Sequence, residues 1–147
     1  YIREVNLPAI EKGLAISDFP REDYEIDYAP MIATGDTEED VNKGIEIIRE
    51  RIAFYGSTPG YRPVLELHGW GELQTELNFL MKQRRQAEMA ELISNEVLHT
   101  FAIVGEPESV VDEIVQRFSG LIDRTSFVAQ GLSEERTADM VRRLRVG

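Results

Sequence analysis

The sequence has no cysteine, two histidines and one tryptophan, and its 16 basic side chains stand against 27 acidic ones for a formal net charge of −11. Without cysteine there is neither a disulfide framework nor a thiolate zinc site, and two isolated histidines make a poor metal cage, so no resident metal is expected. The shortage of Lys and Arg disfavours nucleic acid, whose affinity for proteins rests on basic side chains displacing condensed counterions, and it disfavours an anionic membrane surface for the same reason. No apolar run approaches the roughly 18 residues a membrane span needs, and Tyr1-Ile2-Arg3-Glu4 has no signal-peptide core. The chain therefore reads as soluble and cytoplasmic. Its 147 residues, 42% of them hydrophobic, suffice for one domain burying about 70% of its unfolded surface. It opens on Tyr1, already inside an amphipathic pattern of Ile2, Val5, Leu7, Ile10 and Leu14, and this points to a piece of something longer.

Periodicity divides the chain into elements. Residues 1 to 15 read as helical with an interruption at Pro8, whose ring removes a hydrogen bond and restricts Leu7. Tyr24 to Gly35 is strand-like, with Ile26, Tyr28 and Ile32 on one face, although Pro30 cannot donate to a ladder. Asp36 is the expected cap, with Glu39 at the box position, of a long helix carrying Val41, Ile45, Ile48 and Ile52 and ending near Gly56. Residues 56 to 100 read as a helical insertion, punctuated by Gly and Pro, with a stripe of Leu73, Leu77 and Leu80 and a short helix over roughly 86 to 93. Phe101 to Gly105 leads into Pro107, which opens a helix with Val110, Val111, Ile114, Val115 and Phe118 on one face and Gly120 at its end. Leu121 to Ala129 is the second strand candidate, and Ser133 caps a last helix with Met140, Val141 and Leu144.

Strand, long helical connection, strand, helix is the pattern of a parallel α/β protein, because parallel neighbours need a crossover of a dozen or more residues. The two strand candidates are thus expected to lie side by side and parallel, with helix far exceeding strand. Two strands do not complete a doubly wound sheet or a barrel.

Motifs that bring chemistry are mostly missing. There is no Gly-x-Gly-x-x-Gly, no Gly-x-x-x-x-Gly-Lys and no Gly-x-Ser-x-Gly. The turn at Val104-Gly-Glu-Pro-Glu108 opens a helix, but Glu106 and Glu108 already place negative charge where an anion would bind. Asp36 to Asp40 lacks the alternating oxygen spacing of a calcium loop and is explained by capping. The basic runs at residues 82–85 and 142–145 read as solvated helix faces. His68, beside Trp70 in a Gly-bounded turn, and His99, in a loop leading into a helix, are the remaining acid-base candidates.

A longer run carries more. Ile52-Ala-Phe-Tyr-Gly-Ser-Thr-Pro-Gly-Tyr-Arg-Pro-Val-Leu-Glu-Leu-His-Gly-Trp-Gly-Glu-Leu73 resembles the corresponding stretch of luciferase-like monooxygenases, in the branch of F-420-dependent oxidoreductases. Three flanking pieces, residues 1–13, 101–110 and 121–127, resemble the same family in the same order, so the likeness covers roughly residues 1 to 129. The resemblance implies a (β/α)₈ TIM barrel of which residues 1–147 are a single partial domain from the C-terminal end, predominantly helical with two parallel strands.

The resemblance also implies a parent oxidoreductase or monooxygenase that uses coenzyme F-420 or FMN on a small-molecule substrate, with the piece alone inactive. Cofactor-ring residues in such barrels come largely from earlier strands, so no catalytic or cofactor-binding residue is assigned here. The barrel rule places sites at strand C-termini, which makes Thr34, Gly35, Val128 and Ala129 pocket candidates. His99 and Thr100, upstream of the last crossover helix, are expected to border the same pocket, and His68 and Trp70 complete the set. Cutting a barrel bares two sheet edges, so a homodimer burying the strand region is expected. A rival reading, an acidic helical interaction or regulatory module without catalysis, explains the charge and the missing motifs but leaves two parallel-type strands without a sheet.

Overall fold

A computed structural model describes residues 1–128 and 130–145. Ile2–Asn6 form a π-helical turn that runs directly into helix α1 (Leu7–Ser17). The interruption expected at Pro8 does not occur. Leu7 remains helical at φ −60° and ψ −48°, and Pro8 lies in the first turn of α1, where a missing N–H is tolerated.

The strand expected over Tyr24 to Gly35 is divided at Ala29-Pro30 into β1 (Asp27–Tyr28) and β2 (Met31–Ala33). Helix α2 (Glu38–Gly56) follows, and its cap is Thr37 rather than Asp36. The Thr37 hydroxyl accepts from the Asp40 N–H at 3.2 Å and donates to the Asp40 carboxylate at 2.6 Å. The cap moves by one residue because Asp36 is engaged by the far end of the chain: its carboxylate accepts from the Ser133 N–H at 3.1 Å, and its own N–H donates to the Gly131 carbonyl at 3.0 Å.

Residues 56–100 are helical, as the pattern predicts, in short pieces: α3 (Arg62–Glu66), α4 (Gly71–Lys82), α5 (Gln86–Met89) with a 3-10 turn at Ala90–Leu92, and α6 (Asn95–Phe101). Helix α6 replaces the loop expected around His99. The Ser94 hydroxyl caps it by accepting from the Val97 N–H at 3.2 Å. Next comes β3 (Ala102–Val104), where the sequence reading has only an approach to Pro107. Three residues are too few for alternation to register as a strand signal. Helix α7 (Pro107–Phe118) ends ahead of Gly120, whose φ of +73° is the left-handed conformation that stops a helix at little cost without a side chain. Strand β4 (Arg124–Thr125) and helix α8 (Glu134–Leu144) complete the described chain, with Ser133 capping α8 as expected.

Both strand pairs are parallel. β1 pairs with β4, Asp27 opposite Arg124 and Tyr28 opposite Thr125, which is the adjacency expected of the two strand candidates. The ladder is much shorter than the candidate segments. Asp123 and Arg124 both donate to the Ile26 carbonyl, and the Thr125 hydroxyl takes the Tyr28 carbonyl at 2.9 Å, an acceptor that a longer ladder would use. The second pair, β2 with β3, was not foreseeable from the two candidates and joins Met31, Ile32 and Ala33 to Ala102, Ile103 and Val104. The fold is thus α/β and mostly helical, with the strands among the described residues in two short parallel pairs rather than a single one.

Helices cover both faces of the β2–β3 pair. Ala33 and Ala102 face Ile48, Ile52, Leu77, Leu80, Met89, Val97 and Leu98, whereas the adjacent Ile32 and Ile103 face Val110, Val111 and Ile114 of α7 and Met140 of α8. Consecutive strand residues pointing to opposite sides separate these two cores. Burying one such aliphatic side chain contributes about 1.5–3 kcal/mol.

The β1–β4 pairing is clipped by one carboxylate. Asp123 accepts from the Ile26 N–H at 2.8 Å and from Arg21 at 2.8 Å, and these two donors, the backbone first, hold its carboxyl below the usual Asp range. A depressed folded-state pKa means that the clip's stabilisation is present above the unfolded value of about 4 and is lost as pH falls through the lower folded value. Asp123→Asn is expected to remove that acid-limb dependence, which urea midpoints measured at several pH values would show; an unchanged profile contradicts the clip.

Candidate functional site

The C-terminal ends of β2 and β3 meet at Thr34, Gly35 and Gly105, with the Gly105 N–H donating to the Ala33 carbonyl at 3.1 Å. Three helices, α2, α7 and α8, begin near this end. Gly35 has no room for a side chain, since a Cβ there would lie 2.3 Å from the Cβ of Asp40. The turn after β2 is therefore packed against the first turn of α2. Arg136 of α8 reaches across the end of the strands, 3.8 Å from the Asp36 carboxylate and 3.3 Å from that of Glu108. Glu108 is held below the usual Glu range by its own backbone N–H in the first turn of α7 and then by Arg136. Sequence reasoning missed this bridge, because nothing local to Arg136 marks a partner 28 residues away.

Of the expected pocket residues, Thr34 and Gly35 are buried here, and Thr34 lines a chamber of about 30 Å³ with Gly44, Ile47 and Arg51 of α2 and with Val128 and Gln130. Val128 itself is largely exposed, at 79%. Ala129 lies outside the described residues. The Thr34 hydroxyl is buried without a hydrogen-bond partner among the described residues.

His99 and Thr100 are placed at the other end. Both belong to α6 and precede β3, and because β3 runs parallel to β2 they stand at the N-terminal side of the pair, away from Thr34 and Gly35. The expectation of one shared pocket is corrected by the strand at 102–104, which carries the chain past the sheet between His99 and the start of α7. Near Thr100, His68 stacks on Trp70 with ring centroids 5.0 Å apart and meets Phe101 edge-on at 5.7 Å. This aromatic group borders an open cleft of about 1130 Å³ whose walls include Tyr28, Tyr61, Phe118 and Arg117. Arg117 donates to the His99 carbonyl at 2.7 Å and pairs with Glu113, so its charge sits at the C-terminal end of α6, where it favours the helix dipole. Burial raises the Tyr28 hydroxyl above the usual tyrosine range, opposed by the Arg117 charge.

A sequence model of the luciferase-like monooxygenases matches residues 1–124. The chain belongs to that family. Three mycobacterial relatives, each described only as an uncharacterized protein, one from Mycobacterium bovis and two from Mycobacterium tuberculosis, are 39% identical to it over 135 residues. The match covers 92% of this chain and 40% of each relative, so the chain spans two fifths of the length of the curated relatives it matches.

The two ends of the strands in this luciferase-like chain differ in the space and charge they offer a ligand. A tricyclic flavin or deazaflavin needs a cleft of at least about 300 Å³, and the chamber beside Thr34 is far smaller. The first turns of α2 and α7 carry Asp40 and Glu108, and the backbone N–H of Ser133 is taken by Asp36, so a phosphate would meet carboxylates there. The large cleft has the volume, and beside its aromatic walls it presents both cations, Arg3 and Arg117, and carboxylates, Glu4, Asp112 and Glu113.

Asp36 is the residue that ties the end of β2 to α8. Asp36→Ala removes the Ser133 and Arg136 contacts together and is expected to cost about 1 kcal/mol and to speed amide exchange in the first turn of α8. Arg136→Met, which leaves the Ser133 bond intact, should have a smaller effect in the same exchange experiment. Equal effects of the two substitutions would contradict this ranking.

Proposed function

We propose that this chain is the C-terminal part of a (β/α)₈ barrel in a luciferase-like oxidoreductase, and that its parent uses FMN or coenzyme F-420 on a small-molecule substrate. The observation that carries the reading is the parallel register of β1 on β4 across a helical crossover, within a chain belonging to the luciferase-like monooxygenases and spanning two fifths of its relatives. When bound in the parent, such a cofactor supplies the hydride or electrons of the reaction. This chain supplies part of the wall on which a pocket rests: the packed turn Thr34-Gly35-Asp36, held rigid by Asp40, Ser133 and Arg136. The cofactor-holding side chains belong to the remainder of the parent, since those here fill their own helix N-termini with carboxylates.

Two outcomes test this reading. Titrating the isolated chain with FMN and with F-420 while following fluorescence should give no saturable one-to-one binding, whereas the full-length parent should bind one of them. Micromolar binding by the isolated chain overturns the division of labour.

Assembly is the second outcome. None of the residues of α1 is buried, although Leu7, Ile10 and Leu14 line one side, and Ile16, Phe19, Phe54 and Tyr61 are exposed. Such surface, at about 25 cal/mol per Å² of apolar area, favours association when the rest of a barrel is missing. The isolated chain is expected to sediment as a homodimer at low micromolar concentration; a monodisperse 16.7 kDa species with cooperative unfolding contradicts it.

A further inference from the structure

We infer that the chamber beside Thr34 is a binding site for a single water molecule, shared between the Thr34 hydroxyl, Gln130 and Arg51, which ties the segment following β4 to the end of β2. Thr34 is 1% exposed, and its Oγ1 has no hydrogen-bond partner among the described residues. Leaving such a group unsatisfied is costly, so native structures nearly always pair it. The space adjoining it decides what pairs it. At about 30 Å³ the chamber exceeds the roughly 10–15 Å³ that one water requires and is too small for a ring.

The lining is of two kinds. Ile32, Ile47, Ile48 and Val128 are apolar, while Thr34, Arg51 and Gln130 are the polar residues at its edge, and on the inference drawn here the two longer side chains complete the two to four partners that one water needs. Gly44 opens the space: it lets the backbone of α2 approach β2 so closely that a Cβ there would stand 3.2 Å from the Cα of Ala33, and it adds no side chain to the wall. The bridge would have a structural role. Among the described residues beyond β4, the polar links to the end of β2 are the Asp36–Gly131 and Asp36–Ser133 bonds and the Asp36–Arg136 ion pair, all on residues after Gln130. A water held by Thr34 extends that attachment back to Gln130. The inference does not depend on the cofactor of the parent.

The test uses the near-isosteric change Thr34→Val, which removes the hydroxyl and keeps the shape. If the hydroxyl holds a water, valine lowers the folding equilibrium constant about fivefold at fixed protein concentration; if the hydroxyl is idle, valine leaves it unchanged or raises it. In the wild-type chain, a rotating-frame NMR cross-peak between long-lived water and the Thr34 methyl is expected, and this readout does not require the variant to fold. Combining Thr34→Val with Gln130→Leu should cost less than the sum of the two single changes, because both lose the same water. Valine that is neutral or stabilising, an absent water cross-peak, or strict additivity of the pair would each overturn the proposal.

Discussion

Because Met31, Ile32 and Ala33 lie parallel to Ala102, Ile103 and Val104, the chain between them must leave one end of the pair and return to the other. That return is the whole of α2 together with the insertion helices. It is also what buries Ala33 and Ala102, since Ile48, Ile52, Leu77 and Leu98 come from the connection itself. Three-residue strands contribute few hydrogen bonds, so the pair persists through the helices that its direction forces onto it. The opposite face obeys the same constraint: α7 follows β3 directly and brings Val110, Val111 and Ile114 onto Ile32 and Ile103.

Parallel direction also sorts the polar chemistry. The C-terminal ends of β2 and β3 lie on one side, and there the short turns bring helix N-termini together, with Thr37, Glu108 and Ser133 in their first turns or caps. Asp36 and Arg136 join these starts across nearly a hundred residues of sequence. The other side collects the ends of α6 and α7, where Arg117 takes the His99 carbonyl and the aromatic group of His68, Trp70 and Phe101 stands over an open cleft. The two sides therefore differ in kind: one is closely packed around charge pairs, the other is an open cleft with aromatic walls and a charged rim.

The barrel proposed above for this luciferase-like chain gives the asymmetry a meaning. In a (β/α)₈ barrel the C-terminal ends of strands carry function and the N-terminal ends carry stability. On the reading proposed above, the packed end around Thr34 and Asp36 is the share of the functional face that this chain contributes, and its rigidity is what positioning a ligand requires.

Some of this was determined by the sequence alone. The long amphipathic α2, the Leu73-Leu77-Leu80 stripe, the buried face of α7 and the cap at Ser133 all follow from spacings of three and four and from a hydroxyl beside an acidic turn, which are local signals. The parallel adjacency of the segments around Tyr28 and Thr125 was legible too, through the length of their connection. Only the tertiary structure decided the rest. Ala102–Val104 is too short for alternation to mark it, and it becomes a strand because β2 offers unpaired backbone beside it. That one pairing moves His99 and Thr100 to the end away from Thr34. Asp36 yields its capping role to Thr37 because Ser133, far along the chain, claims its carboxylate. The burial of the Thr34 hydroxyl depends on how closely Gly44 lets a helix approach a strand, a distance that no window of sequence contains.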